Sequence, residues 1–140
     1  ATAFGTRLII ETFRQNGVPV YEIVATGGLP DRNKLLMQIY ADVTGVPLHI
    51  AETHQAGALG SAMHGAVAAG KAAGGYDSII AAAQKMARLR DESYQPVAAH
   101  KAVYDQLYAE YLALHDTFGR GQNDVMKRLK ALKAQVLAGK

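Results

Sequence analysis

The chain has 140 residues, 49% hydrophobic and 19% charged, about one domain's worth of an ordinary globular balance that argues against disorder. It contains no cysteine, which excludes a disulfide framework, a thiolate zinc site and a cysteine nucleophile, and is compatible with a reducing cytoplasm. Residues 119–140 hold six of the 15 Lys and Arg residues and one acid, Asp124, so the net charge of +3 is a property of the tail.

Phe4, Leu8, Ile9 and Phe13 lie opposite a charged stripe of Arg7, Glu11 and Arg14, which predicts an opening helix. Gly17 and Pro19 stop it, because glycine accepts the left-handed end conformation and proline cannot continue a helix. Val20–Ala25 is short, β-branched and nearly all apolar, and predicts a buried strand. Thr26-Gly27-Gly28-Leu29-Pro30-Asp31 reads as a turn, after which Leu35, Leu36, Ile39, Tyr40 and Val43 return to helical spacing until Gly45 and Pro47. Leu48–Ala51 predicts a second strand.

From about His54 to Gly70 comes a helix of small residues. Its glycines, Gly57, Gly60 and Gly65, each cost about 1 kcal/mol relative to alanine, so a backbone or sheet is expected close against that face. Gly74-Gly75 breaks the chain, Ser78–Leu89 predicts another helix, and residues 91–97 read as a polar connection. Val103, Leu107, Tyr111, Leu114 and Phe118 mark a long amphipathic helix ended by Gly119 and Gly121. Met126, Leu129, Leu132 and Val136 mark the inward face of a final basic helix. The order is an α/β half-domain followed by helices only, with no run of the ~20 apolar residues that a membrane span requires.

Chemistry is legible at one place. A strand, two glycines and a helix start at residues 20–43 would let the main chain approach a phosphate or a flat nucleoside. The spacing is neither G-x-G-x-x-G nor G-x-x-x-x-G-K-[ST], so a ligand-free tight turn stands beside the nucleotide reading. The five histidines, His49, His54, His64, His100 and His115, form no H-E-x-x-H motif and no metal is expected on them. Glu52, at the end of the second strand, could accept a hydrogen bond from a ligand, though such a residue more often caps the next helix or pairs locally. No G-x-S-x-G context supports a serine nucleophile. The basic final helix reads as a solvated face, with no nucleic-acid or membrane partner expected; the alternative is a non-catalytic α/β binding module whose basic helix docks on a partner or nucleic acid.

The run IVATGGLPDRNKLLMQIYADVTGVPLHIAETHQAGALGSAMHGAVAAG resembles the C-terminal part of the FGGY family of carbohydrate kinases, and ATAFGTRLIIETF resembles the helix preceding it. GGYDSI, YQP and LHDTFGRGQNDVMKRLK resemble the ribulose-phosphorylating branch. The resemblance implies an actin-like, ribonuclease-H-like ATPase fold, of which residues 1–140 would be the last part of the second, ATP-side domain with a helical C-terminal extension. It implies ATP with Mg²⁺, Gly27 and Gly28 against the adenosine, and Asn33 as a polar contact. Leu29-Pro30-Asp31-Arg32 is a residue longer than in some members. The catalytic base, the phosphate-binding hairpin and the sugar contacts would lie upstream of Ala1, so no catalytic residue is expected in this segment. The expected whole is a cytoplasmic kinase phosphorylating ribulose in arabinose breakdown, with xylulose or glycerol as the alternative sugars. The remainder of the kinase is the expected partner, and homo-oligomerisation is left open.

Overall fold

The computed structural model describes residues 1–139. Helix α1 (Thr2–Gln15) leads to strand β1 (Ile23–Ala25), the one-turn helix α2 (Leu29–Arg32), helix α3 (Lys34–Thr44) and strand β2 (Leu48–Ala51). Helix α4 (Ala56–Ala69), a 3-10 turn at Lys71–Ala73, helix α5 (Ile79–Met86) and strand β3 (Leu89–Tyr94) follow. Helices α6 (Ala98–Gly119) and α7 (Val125–Ala138) complete the chain. No described helix is long and apolar enough to cross a membrane.

The sheet has the order β1-β2-β3. β1 and β2 are parallel, with Ile23 opposite Leu48 and Ala25 opposite Ile50. A parallel pair needs a crossover, and α3 supplies it. β3 runs antiparallel to β2, with Leu48 opposite Tyr94 and Ala51 opposite Leu89. The period-2 alternation of β2 turns Leu48 and Ile50 onto α3, where they join Met37 and Ala41 in the buried core, with Ile23, Ala25, Leu36, Tyr40 and Tyr94 packed around them.

Polar bonds tie this core to α1 and α6. Arg7 of α1 donates to Glu11 (2.8 Å), to Asp105 of α6 (2.6 Å) and to the Val43 carbonyl of α3 (3.2 Å). Its guanidinium also lies 4.1 Å from the Tyr108 ring centroid. Burial, with the hydrogen bond donated to Glu11, pushes the Tyr108 hydroxyl up to about 12. Asp42, 2% exposed, accepts from the Val97 amide (2.8 Å), from Gln38 (2.9 Å) and pairs with His100 (2.9 Å). Burial would raise its pKa, but these bonds outweigh burial and hold the carboxyl below its ordinary value.

The structure departs from the sequence expectations at several elements. Leu89–Tyr94 is a strand, not a helix end followed by a connection, because β2 offers it a free edge and backbone bonds. β1 is shorter than Val20–Ala25, and Leu29–Arg32 closes into a helical turn. The packed face of α6 is Tyr104, Tyr108 and Tyr111 against Phe4, with centroids 6.3, 5.8 and 5.5 Å away. Val103, Leu107, Leu114 and Phe118 are instead exposed, as are Ile9 and Phe13 of α1 and the whole apolar stripe of α7. Finally, a Cβ at Gly57, Gly60 or Gly65 would meet nothing within 4 Å among the described residues. The close backbone approach falls at Gly75 instead, where a Cβ would collide with the Ala66 carbonyl.

Candidate functional site

The strongest candidate is the corner between β1 and α3, where residues 26–33 leave the carboxyl end of a parallel strand. Ligands in open α/β sheets lie beyond such ends. Gly27 has φ +83°, a left-handed conformation that side chains rarely adopt, and a Cβ there would meet nothing within 4 Å. The fold therefore needs this glycine for its torsion and not for packing. Gly28 differs. It caps α2 with φ −89°, and its Cβ would meet only the Arg32 Nε, at 3.9 Å. Nothing in the described fold requires glycine at 28.

Asn33 sits at the join of two helices, and its Oδ1 accepts from the Leu36 amide at 3.0 Å. That is an N-cap, which satisfies one of the orphan donors of α3. Its amide NH₂ donates to no described residue. The three expected residues thus share one corner: Gly27 shapes it, Gly28 lines it, and Asn33 starts the helix behind it.

The structure adds side chains that sequence patterns missed. Asp31 of α2 pairs through Oδ1 with Arg90 of β3 and through Oδ2 with His54 of the β2–α4 loop, at 3.2 Å. The Arg90 hydrogen bond, reinforced by the charges of Arg90, His54 and Lys34, holds the Asp31 carboxyl below its ordinary value. Lys34 at the start of α3 pairs with Glu92 of β3 at 2.9 Å, and Glu92 accepts from Tyr94 at 2.8 Å. The only sequence signal for this was the alternation of LRDESY, whose Arg90, Glu92 and Tyr94 share the better-covered side. Glu52 caps no helix; its amide donates to the Arg88 carbonyl at 2.9 Å and so joins the start of β3.

Beside the corner lies a largely apolar groove of about 300 Å³, lined by Val24, Thr26, Thr53, Leu59, Met63 and Leu89 among others. Among the described residues no three His, Asp or Glu side chains converge to hold a metal. His49, His54, His100 and His115 each lie beside a carboxylate, Glu22, Asp31, Asp42 and Asp116 respectively.

The glycine corner thus stands beyond a parallel strand on an α/β core with appended helices, an architecture shared with a known family of kinases. Residues 1–69 match the C-terminal domain of the FGGY family of carbohydrate kinases, and the chain belongs to that family. It is 59% identical over 140 residues to a ribulokinase of Geobacillus thermodenitrificans, covering 100% of this chain and 25% of that protein. It is 58% identical over 134 residues to a ribulokinase of Halalkalibacterium halodurans, covering 96% of this chain and 24% of that protein. The chain thus spans about a quarter of the length of these relatives. Among solved structures, a xylulose kinase from Rhodospirillum rubrum matches 84% of this chain and 22% of its own, with a TM-score of 0.65 and 28% identity.

Proposed function

We propose that this segment supplies the nucleoside side of the ATP site in an ATP-dependent ribulokinase. The observation that carries the reading is the reach of the ribulokinase likeness. It extends beyond residues 1–69 through α6 and α7, which lie outside the shared family domain. The xylulose alternative draws on the xylulose kinase fold, at a lower identity.

In this reading the backbone at Gly27 and Gly28 lies against the adenosine, since a chain without Cβ atoms brings its peptide planes close to a flat ring. Asn33, with its oxygen committed to the cap, directs its NH₂ to an acceptor on the nucleoside. The chemistry fits a division of labour. Phosphoryl transfer depends on positioning and charge neutralisation, with a carboxylate taking the hydroxyl proton and Mg²⁺ on the phosphates. The base, the metal ligands and the sugar contacts would come from the remainder of the kinase, and the enzyme would work in the cytoplasm on ribulose from arabinose.

The test uses the intact kinase with ATP and a panel of ribulose, xylulose and glycerol. Ribulose should give the highest kcat/KM. A preference above about tenfold, ~1.4 kcal/mol, for xylulose or glycerol would transfer the protein to another branch. For the nucleotide, Gly28→Val should raise the KM for ATP and leave the KM for the sugar in place; an unchanged ATP constant in the folded variant would sink the corner.

A further inference from the structure

We propose that Asp31 is a positioning residue for nucleotide binding, holding the Gly27-Gly28 corner in register through its paired contacts with Arg90 and His54. This rests on the reading of the corner as the nucleoside side of an ATP site.

The physical problem is that Thr26-Gly27-Gly28 has little to hold it. Two consecutive glycines lose more conformational freedom on ordering than any other pair, and neither brings a side chain to anchor. Leu29 is 48% exposed. The first anchored side chains after the turn are Pro30, which is buried, and Asp31. Proline fixes one torsion but bonds to nothing. Asp31 spends one oxygen on each of two different elements: Oδ1 on Arg90 of β3, and Oδ2 on His54 of the β2–α4 loop at 3.2 Å. A second strut, Lys34 to Glu92 at 2.9 Å, joins the next helix to the same strand. β3 therefore grips the corner at two points, while its own backbone is held by β2.

Exposed ion pairs contribute little to global stability. The consequence here is local: the pair selects one arrangement of a glycine-rich turn, and a ligand that needs that arrangement binds more weakly when it is one of many. Global unfolding should hardly notice the loss, whereas nucleotide affinity should.

The experiment compares Asp31→Ala, Arg90→Gln and the double variant in the intact kinase, with Gly28→Val as the reference. Three readouts are used: ADP affinity by calorimetry, amide hydrogen exchange of residues 26–33, and the KM values for ATP and sugar. We expect each single variant to weaken ADP by about fivefold and to speed exchange in residues 26–33. The melting temperature, kcat and the sugar KM should hold, and the double variant should be no worse than either single one. Arg90→Lys, which keeps the charge, should recover most of the loss. If Gly28→Val weakens ADP while Asp31→Ala and Arg90→Gln do not, the positioning role falls and the ATP corner stands. If Gly28→Val also leaves ADP affinity intact, the corner itself falls. Parallel losses in ATP and sugar constants with a lowered melting temperature would make the contacts general scaffolding and overturn the proposal. Should Asp31→Ala fail to fold, Arg90→Gln carries the same comparison.

Discussion

The α3–sheet core and the C-terminal helix α7 are written in the same pattern, apolar residues at helical spacing, and end in opposite environments. In α3, Met37 is 2% exposed and Ala41 fully buried, because β1 and β2 lie across that face. In α7, Met126, Leu129, Leu132 and Val136 have the same periodicity and are all more than half exposed. Amphipathicity states that a face can be buried; only a neighbour of the right shape buries it. The core thus owns its stability, while α7 adds a helix with a basic face and no described partner for its apolar one.

That contrast breaks most sharply under truncation. Met37→Ala should cost about 2–5 kcal/mol, seen as a lower urea midpoint at constant slope. A loss below ~1 kcal/mol would mean the core is less closely packed than its burial indicates.

The next largest effect is electrostatic and sits at the rim of the same core. Removing Asp42 strands the Val97 amide and takes the partner from His100, while Gln38 keeps its bond to the Gln95 carbonyl, so Asp42→Ala should cost about 1–3 kcal/mol. The pH sign follows from its depressed pKa. The folded state binds fewer protons than the unfolded one, so this contribution is full above the unfolded carboxylate value of about 3.9 and is lost as pH falls through the lower folded value. Urea midpoints measured between pH 7 and 3 should therefore fall less steeply for Asp42→Asn than for the parent chain.

At the corner, Gly27 and Gly28 sharpen the comparison between residues a fold needs and residues a ligand needs. Gly27→Ala forces a side chain into φ +83° and should cost about 1–2 kcal/mol. Gly28→Ala should stay within ~0.5 kcal/mol, since its torsion is ordinary and only Arg32 lies near its Cβ. Equal losses at the two positions in thermal melts would remove the distinction.

The smallest effect is expected in α7. Leu132→Ala, at a position 56% exposed, should move the urea midpoint by less than the equivalent of ~0.5 kcal/mol. A loss comparable with that of Met37→Ala in the intact kinase would show that its remainder covers this face.

The sequence by itself determined the elements whose cause is local. Gly17 and Gly45 end their helices through positive torsions, Asn33 caps α3 with its own side chain, and LHIA alternates cleanly enough to be a strand. The Gly27-Gly28 corner was legible for the same reason: strand, glycines and cap follow one another along the chain. Tertiary structure alone decided what depends on a partner far away in sequence. LRDESY alternates between two polar faces, so nothing marks it as a strand until β2 pairs with it and Asp31 and Lys34 neutralise Arg90 and Glu92. Helix α6 carries two stripes, one of Val103, Leu107, Leu114 and Phe118, the other of three tyrosines, and hydropathy ranks the first higher. Phe4 and Arg7 of α1 stand over the second, where the rings meet edge-on or tilted and the Tyr108 hydroxyl donates to Glu11, and so the tyrosine side packs inward.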